Sequence, residues 1–362
     1  MQTLILVIVL ALISQLVGKP ALKEKSTLRL LHVLFRHGNR NPEETSMWSS
    51  NSFSNASNYP EGWGQLTNKG KMTEYKLGQF YRERYDQFLG DTWNIDYVDF
   101  RCDNYDRTKM SGELVMAGLW PPRGANVWNK GLAWQPIPFE YVPLNKDPLL
   151  YPIVSVQFQF DFALTFLSGK IQSHLAKKYG EAMKILSQNT GCSATNYAIG
   201  SAYYDTMMVQ EDLGFKLDSW TTQVYPEPLK SLAVDIFYVM TNNTVLRKKM
   251  AGSLLKKVIT DTYSLIHGTL SPPTRKMFVY SAHDTNVGSM YLSLQAYKMD
   301  QPPPYGSSFI FEVHEIEGVW GLKLFLVDYT KGSPHSLTIP GCEEFCPIDE
   351  FYSLVDDILP LD

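Results

Sequence analysis

The sequence predicts an α/β protein with a large core domain, in which a mixed central sheet is flanked by helices, and a smaller, mainly α-helical lobe inserted into that core. Apolar runs of strand length at residues 28–35 and 276–281 each end at a cluster of polar residues. Residues 309–316 and 319–327 predict a hairpin with Gly318 in its turn. Between these sheet-forming parts the chain is mainly helical in pattern, which is why we expect an inserted lobe.

The length and composition are compatible with this fold. At 362 residues the chain can bury a large core. Its content of 44% hydrophobic and 13% aromatic residues favours a well-packed globule over a disordered chain. A formal net charge of −4 gives no support to a nucleic-acid partner or to a role at a membrane surface. We therefore expect a globular protein that does not bind nucleic acid.

The first part of the core begins with the strand at residues 28–35. Residues 43–60, which are rich in Ser and Asn, predict a loop. Thr67 is the expected N-cap of a helix that extends to about Tyr85. The apolar residues expected on one face of this helix are Met72, Tyr75, Leu77 and Phe80.

A second strand is predicted at residues 98–101, and the helix that follows Asp106 ends where Trp120 precedes two prolines. The helical segments expected after that are residues 162–178, 181–186, 203–213 and 231–240. We expect the α/β core to comprise residues 24–127 and 229–362, and the inserted lobe to comprise residues 128–228.

Residues 1–18 predict a secretory signal peptide. The apolar run at residues 4–12 is short for a membrane span, and Gly18 is a small residue of the kind that precedes a cleavage site. The alternative, a membrane anchor, is disfavoured by the polar residues Ser14 and Gln15. We expect the mature chain to have no membrane anchor and to be secreted or delivered to the lysosomal lumen.

The cysteines suit the same compartment. Cys342 and Cys346 predict a disulfide, because an oxidising compartment allows such a short loop to be closed. A zinc site is disfavoured, since no second Cys or His pair at ligand spacing accompanies them. Cys102 and Cys192 either pair with each other or stay free, and the sequence leaves both alternatives open. The acceptor patterns for N-glycosylation are at Asn55 and Asn242.

A basic cluster follows the first strand directly, because residues 36–42 read Arg-His-Gly-Asn-Arg-Asn-Pro. Two guanidinium groups can hold a phosphate by paired hydrogen bonds, and an imidazole between them can attack or protonate it. Gly38 lets the backbone come close to a ligand. The alternative is a surface turn that happens to be basic, which is less favoured because the cluster adjoins a core strand. The segment predicts an anion site at the edge of the sheet.

Two further segments contain chemically useful residues. His283 and Asp284 follow the apolar residues 277–280, so they too lie at a strand end, where they could stabilise a phosphoryl group and protonate its leaving oxygen. Taken alone, such a pair is more often a structural hydrogen bond. Arg107 begins a predicted helix and, taken alone, would be interpreted as a helix cap or a surface ion pair.

Together these segments resemble the histidine acid phosphatase family. Residues 36–42 match its signature R-H-G-x-R-x-P, residues 281–285 match S-A-H-D-T, and residues 106–111 match D-R-T-x-M-S. Further similarity runs in family order from about residue 28 to residue 359. The resemblance is greatest to the animal prostatic, lysosomal and venom acid phosphatases, and it implies an α/β core with a helical insert.

The resemblance also implies roles for individual residues. His37 would be the nucleophile that forms a phosphohistidine, and Asp284 would protonate the leaving alcohol. The substrate would be a small phosphomonoester, hydrolysed at mildly acidic pH without a metal or another cofactor, and a homodimer is suggested. The residues that would bind the phosphate oxygens are Arg36, Arg40, Arg107 and His283.

The chain departs from the family pattern close to this site. Asn39 stands where the animal enzymes usually carry Asp. Residues 101–107 resemble R-S-T-D-x-D-R, with Cys102, Asp103 and Asn104 in place of Ser, Thr and Asp. These changes motivate an alternative, a secreted small-ligand-binding protein on the same fold with weak or no turnover. A phytase-like enzyme is a third option, ranked lower because the predicted lobe shows no surplus of Lys or Arg for a polyanion.

Overall fold

The computed structural model describes residues 26–332 and 334–361. The predicted signal peptide, residues 1–18, lies outside the described residues. The strands are β1 (Leu28–Arg36), β2 (Val98–Cys102), β3 (Met277–Ala282), β4 (Ser308–Ile316), β5 (Val319–Val327), β6 (His335–Leu337) and β7 (Cys346–Pro347). The helices are α1 (Asn68–Leu89), α2 (Asp106–Leu119), α3 (Val156–Phe166), α4 (Gly169–Thr190), α5 (Tyr197–Asp212), α6 (Leu229–Met240), α7 (Thr244–Arg247), α8 (Ser253–Ile266), α9 (Asp284–Ser293) and α10 (Ile348–Val355).

The strands form one mixed sheet in the order β2-β3-β1-β4-β5-β6, with β7 paired to β5. β1 and β2 both run parallel to β3, whereas β4 is antiparallel to β1 and to β5. Arg36 at the end of β1 lies beside Ala282, and Cys102 at the end of β2 lies beside Ser281. Since parallel strands end at the same edge, the polar segments after β1, β2 and β3 meet there. The predicted fold class is confirmed.

Hydrophobic clusters cover both faces of this sheet. Leu30 and Leu34 of β1 pack in a cluster with residues of α8, α9 and α10. Leu31, Val33 and Phe35 point to the opposite face and pack in a second cluster with residues of α1 and α2. Successive side chains of a strand alternate between faces, so a strand covered on both sides is an almost continuous apolar run in the sequence.

The buried face of α1 differs from the predicted one. Thr67 caps this helix as expected, because its Oγ1 accepts a hydrogen bond from the amide of Gly70. Met72, however, is 51% exposed, and the buried face includes Glu74 and Tyr81 instead. The prediction was wrong at Met72, whereas Leu77 is fully buried and Phe80 packs against the same cluster as expected. The burial of Glu74 could not be predicted, because a buried glutamate does not follow the apolar pattern.

The inserted helices also differ in detail from the prediction. The segment expected at residues 162–178 is two helices, because α3 ends at Phe166 and α4 begins at Gly169. Ser168 separates them and caps α4 with its side chain, as serine commonly does. The segment expected at residues 181–186 is not a separate helix and belongs to α4.

Helices α4, α5 and α6 contribute to a hydrophobic cluster of their own. Leu232 and Ile236 of α6 pack in this cluster, whereas Val234 and Phe237 of the same helix pack in the cluster that covers the sheet. α6 therefore connects the inserted helices to the core. The domain boundaries near residues 128 and 228 remain predictions.

The short-range expectations near the C-terminus agree with the structure. β4 and β5 form the predicted hairpin, with Gly318 in its turn at a φ of +83°. Cys342 and Cys346 form a disulfide.

Cys102 and Cys192 are free, which decides between the two alternatives for that pair. Among the residues that the structure describes, no helix is long and apolar enough to cross a membrane.

Candidate active site

The segments that follow β1, β2 and β3 form one buried polar cluster at the edge of the sheet. His37 follows β1, Asp103 follows β2 and His283 follows β3. The ring centroids of His37 and His283 are 5.2 Å apart. The other predicted site residues lie in the same cluster, and these are Arg36, Arg40, Arg107 and Asp284.

Close backbone packing holds the loop that carries His37. A Cβ atom at Gly38 would clash with the carbonyl of Gly70 in α1, and a Cβ atom at Gly70 would clash with the backbone of Asn39. The amide of Gly38 also donates a hydrogen bond to Oγ of Ser111 in α2, at 3.2 Å. The loop therefore lies directly against the first turn of α1, and His37 has a fixed position.

The environment of His37 keeps its imidazole neutral. Nδ1 lies 2.9 Å from the carbonyl oxygen of Gly38, which can only accept, so Nδ1 donates and the lone pair of Nε2 is free. The side chain is 2% exposed, and this burial lowers the pKa of His37 well below its ordinary value. The positive charges of Arg107, His283 and the neighbouring arginines act in the same direction. An unprotonated nitrogen is therefore available at mildly acidic pH.

Each arginine of the cluster, and His283 as well, lies against a carboxylate. Asp205 is far along the chain from the segments that predicted the site, whereas Glu43 directly follows residues 36–42, and no pattern in the sequence pointed to either carboxylate. A third, Asp103, was noted only as a departure from the family pattern. The pairs are Arg36 with Asp284 at 2.9 Å, Arg40 with Asp205 at 2.8 Å, Arg107 with Glu43 at 2.9 Å, and His283 with Asp103 at 2.6 Å.

The guanidinium groups are held in place by further contacts. Nη1 of Arg36 donates to the carbonyl oxygen of Pro303 at 2.6 Å, and its guanidinium carbon lies 4.0 Å from the centroid of the Tyr305 ring. Burial by itself would lower the pKa of Arg40, but the carboxylate of Asp205 more than offsets it, so the pKa of Arg40 lies above its ordinary value. These side chains are fixed cations that can receive an anion.

A cavity of about 450 Å³ opens onto Arg36. One wall is the face of α5 that carries Tyr204, Met208 and Glu211, at the spacing of successive helical turns. Tyr305 and two prolines of its loop also line the cavity. Helix α5 thus forms the entrance to the site, and the cluster at the edge of the sheet forms its floor.

Asn39 links the loop after β1 to two helices. Its Nδ2 donates to Oδ2 of Asp212 in α5 at 2.8 Å, and its Oδ1 accepts from the hydroxyl of Thr73 in α1 at 2.8 Å. An aspartate at this position would face the carboxylate of Asp212 without a proton to donate. Asn39 therefore supplies the hydrogen-bond donor that the carboxylate of Asp212 requires. Lys69 forms an ion pair with the same aspartate.

The remaining predicted residues lie elsewhere. Asn55 and Asn242 are exposed. The disulfide between Cys342 and Cys346 lies beside β5, which is separated from β1 by β4. Within residues 26–332 and 334–361, no group of His, Cys, Asp and Glu side chains is arranged to hold a metal ion.

The fold and this cluster define an α/β protein in which arginines, histidines and carboxylates meet in a buried cluster at the edge of the sheet. Residues 27–319 match the model of the histidine phosphatase superfamily (branch 2), and the chain belongs to this family. The relatives are phosphatases, which supports a phosphatase function. The venom acid phosphatase Acph-1 of Apis mellifera is 35% identical over 97% of this chain and 89% of its own length. The prostatic acid phosphatase of Bos taurus is 33% identical over 99% of this chain and 91% of its own length.

More distant comparisons agree with the fold. The human lysosomal acid phosphatase is 29% identical over 96% of this chain and 81% of its own length. The apo form of Hafnia alvei phytase superimposes with a TM-score of 0.70 at 20% identity, over 95% of this chain and 98% of the phytase chain. At such low identity, this likeness is evidence for the fold alone.

Proposed function

We propose that this protein is an acid phosphatase that hydrolyses small phosphomonoesters through a phosphohistidine at His37. The observation that carries the proposal is the state of His37, which is buried, has a free Nε2 lone pair and has a pKa well below its ordinary value. A histidine in this state can attack phosphorus at an acidic pH that would protonate an ordinary imidazole. The cations around it supply the charge stabilisation that phosphoryl transfer requires.

Substrate binding would exchange partners within the cluster. The phosphate oxygens would take the places that carboxylates occupy on the arginines in the empty site. Asp284 pairs with Arg36 at 2.9 Å, so a phosphate dianion that binds Arg36 competes directly with Asp284. The residues proposed to bind the phosphate oxygens are Arg36, Arg40, Arg107 and His283.

In the first step, the Nε2 lone pair of His37 forms a bond to phosphorus as the bond between phosphorus and the leaving oxygen breaks. Protonated Asp284 gives its proton to that oxygen, so a neutral alcohol leaves. The need for a protonated carboxyl group explains why the reaction would favour mildly acidic pH.

In the second step, water attacks the phosphorus of the phosphohistidine. The carboxylate of Asp284 accepts a proton from the water, the bond between phosphorus and Nε2 breaks, and its electron pair returns to the nitrogen. Inorganic phosphate leaves, His37 is again neutral and Asp284 is again protonated. We propose that this cycle needs no metal ion, since the fixed cations neutralise the phosphate charge.

The entrance supports a small substrate over a polyanionic one. Glu211 and Asp212 place two carboxylates at the wall of the cavity, where Lys69 contributes a positive charge. Phytate carries many negative charges and would be repelled by such a wall. We therefore rank phytase activity below the hydrolysis of small phosphomonoesters.

The second candidate is a secreted small-ligand-binding protein with weak or no turnover. The departures from the family pattern at Asn39 and at residues 102–104, close to His37 and His283, motivate this candidate. Loss of turnover in a His37 variant would exclude this candidate. Tight binding of a small ligand without turnover would favour it.

The proposal includes the secretory pathway, with a secreted or lysosomal location after removal of residues 1–18. The venom, prostatic and lysosomal relatives support this compartment. The exposure of Asn55 and Asn242 is compatible with N-glycosylation. We also propose residues 128–228 as an inserted lobe within a core of residues 24–127 and 229–362, and a homodimer as the assembly.

The test is phosphate release from an aryl phosphate across about pH 4 to 8, with and without a chelator. We expect acidic, chelator-resistant activity in the wild type, a loss of that activity in His37→Ala, and little change in His174→Ala, whose side chain is exposed on α4. An inactive wild type, or a fully active His37→Ala variant, would refute the proposed mechanism.

A further inference from the structure

Asp103 is a buried carboxylate in direct contact with His283. The residue is fully buried, and its Oδ2 lies 2.6 Å from Nε2 of His283. Its Oδ1 accepts hydrogen bonds from the hydroxyl of Thr108 and from the amide of Tyr105. One carboxylate oxygen thus holds the start of α2, and the other faces the imidazole.

The backbone also fixes Asp103. It immediately follows β2, and its amide donates to the carbonyl oxygen of Ser281 at the end of β3, at 3.2 Å. His283 is two residues beyond Ser281 and is the N-cap of α9. The carboxylate and the imidazole are therefore carried by residues that directly follow two paired strands, which keeps their backbones side by side.

We propose that Asp103 is a positioning residue that holds the ring of His283 at the phosphate site through their close contact and stabilises a positive charge on that ring. This inference rests on the proposed phosphatase function and deepens it. The pattern R-S-T-D-x-D-R, which residues 101–107 resemble, has Thr at this position.

The surroundings of His283 support this assignment. The ring makes edge contacts with His37 and Tyr105 and a tilted contact with Tyr151, none of which carries a negative charge near neutral pH. Arg107, which stacks on Tyr105, is a cation and opposes a charge on His283. The adjacent Asp284 is directed to Arg36. The carboxylate in contact with the imidazole is that of Asp103.

The ionisation of Asp103 is consistent with this role. Burial by itself would raise the pKa of Asp103, but the charge of His283 and the hydrogen bonds to the carboxylate more than offset it, so the pKa lies below its ordinary value. Asp103 is therefore a carboxylate at mildly acidic pH. The attraction within a charged pair is mutual, so whatever His283 contributes to the ionised form of Asp103, Asp103 contributes equally to the imidazolium of His283.

The charge of Asp103 has two opposite effects on phosphate. It repels the anion directly, and it favours the imidazolium that attracts the anion. At about pH 4.5 an ordinary imidazole is protonated without help, so only the repulsion matters. At about pH 7.5 an ordinary imidazole is neutral, so the stabilised imidazolium matters more. Removal of the charge should therefore tighten phosphate binding in acid and weaken it at neutral pH.

The experiment compares the affinity for inorganic phosphate of the wild type, Asp103→Asn and Asp103→Thr by calorimetry between about pH 4.5 and 7.5. Asp103→Asn keeps the shape and the acceptor for Thr108, and Asp103→Thr restores the family residue. We expect both variants to bind phosphate at least about threefold more tightly at the acidic end and at least about threefold more weakly at the neutral end. Asp106→Asn, a change of the exposed aspartate at the start of α2, is the matched control and should follow the wild type.

Two further measurements separate positioning from a structural role. The basic limb of the kcat/KM profile should move to lower pH in both Asp103 variants, and Asp103→Asn should have no further effect on phosphate affinity at neutral pH in a His283→Asn background. A uniform loss of affinity at every pH, with a lowered Tm, would overturn the inference. If the wild type binds phosphate but never turns over a substrate, the proposed function fails, and the crossover in affinity still decides the role of Asp103.

Discussion

The floor and the entrance of the candidate site differ in how they are built. The floor consists of residues that directly follow β1, β2 and β3, and its cations and carboxylates are mostly buried. The entrance is a face of α5, whose polar side chains are more exposed. Successive turns of this helix each place a side chain in the wall of the cavity. Asp205 of α5 connects the two, because it reaches Arg40 of the floor. Under the proposed function, the floor would perform the chemistry and the entrance would select the substrate.

The largest expected effect concerns the floor. Asp284→Asn removes the proposed proton donor, so kcat for an alkyl phosphate should fall by about 10² to 10⁴. An aryl phosphate with an acidic leaving group needs less protonation and should lose much less. Steady-state kinetics with both substrates measure the difference. Asp96→Asn, at an exposed position, is the control. Equal losses for the two substrates would contradict the role of Asp284 as the acid.

A smaller effect is expected where the floor and the entrance meet. Asp205 holds Arg40 at 2.8 Å and lies 3.9 Å from Arg36. Asp205→Asn removes a charge that competes with phosphate for both guanidinium groups, so the inhibition constant of inorganic phosphate should fall by about three- to tenfold. Since Arg40 also loses an anchor, kcat should fall as well. An unchanged inhibition constant would contradict this expectation, because it would show that the charge of Asp205 does not weaken the binding of phosphate.

The entrance alone should change selectivity by less. Glu211→Gln removes one carboxylate from the cavity wall and keeps an acceptor for the hydroxyl of Tyr225. The ratio of kcat/KM for phytate to kcat/KM for an aryl phosphate should rise by about two- to fivefold, and added salt should reduce the rise because the carboxylate is exposed. Glu181→Gln, on the exposed side of α4, should leave the ratio unchanged. A rise that is insensitive to salt would contradict an electrostatic cause.

The smallest effect on activity is expected from a change at Glu74 of α1, which is fully buried beneath the floor. The prediction for this residue therefore concerns the thermal stability of the protein. Burial raises the pKa of Glu74 well above its ordinary value, although the charge of Arg36 acts in the opposite direction. Because the folded pKa is raised, the stability associated with the neutral form is present below the unfolded pKa and is lost as the pH rises toward the folded one. Glu74→Gln should therefore raise Tm by about 2–4 °C near pH 7 and by less near pH 4.5.

Thermal melts at both pH values test this expectation. Glu83→Gln, an exposed position in the same helix, serves as the control and should show no difference between the two pH values. An equal shift of Tm at both pH values for Glu74→Gln would mean that packing, and not ionisation, determines the effect.

Much of the floor could be predicted because its residues are close together in the sequence. Arg36, His37 and Arg40 lie in one segment after a strand, and His283 with Asp284 lie in another. A strand end followed by a tight loop brings such neighbours into one site by local geometry. Their presence in the same site can therefore be predicted from the segment alone. The resemblance to a family then implied roles for the same residues.

Other features followed no local pattern. Glu74 is polar yet buried, so the predicted face of α1 was wrong at Met72. Ser168 divides a stretch that the sequence presented as one helix. Asp205 and Glu43 are ordinary acidic residues in their own segments, and they become part of the site only because the inserted helices and the loop after β1 fold over the arginines.

The sequence by itself determined the α/β class, the strand ends, the disulfide and the residues that form the floor, because apolar periodicity and short motifs act over a few neighbouring residues. The tertiary structure alone decided the order of the strands, which cations meet which carboxylates and where the entrance lies. Those contacts join residues that are far apart in the chain, such as Asp205 with Arg40 and Asp103 with His283. They form only when the packing of sheet and helices excludes water around buried charges, which makes each charge require a partner.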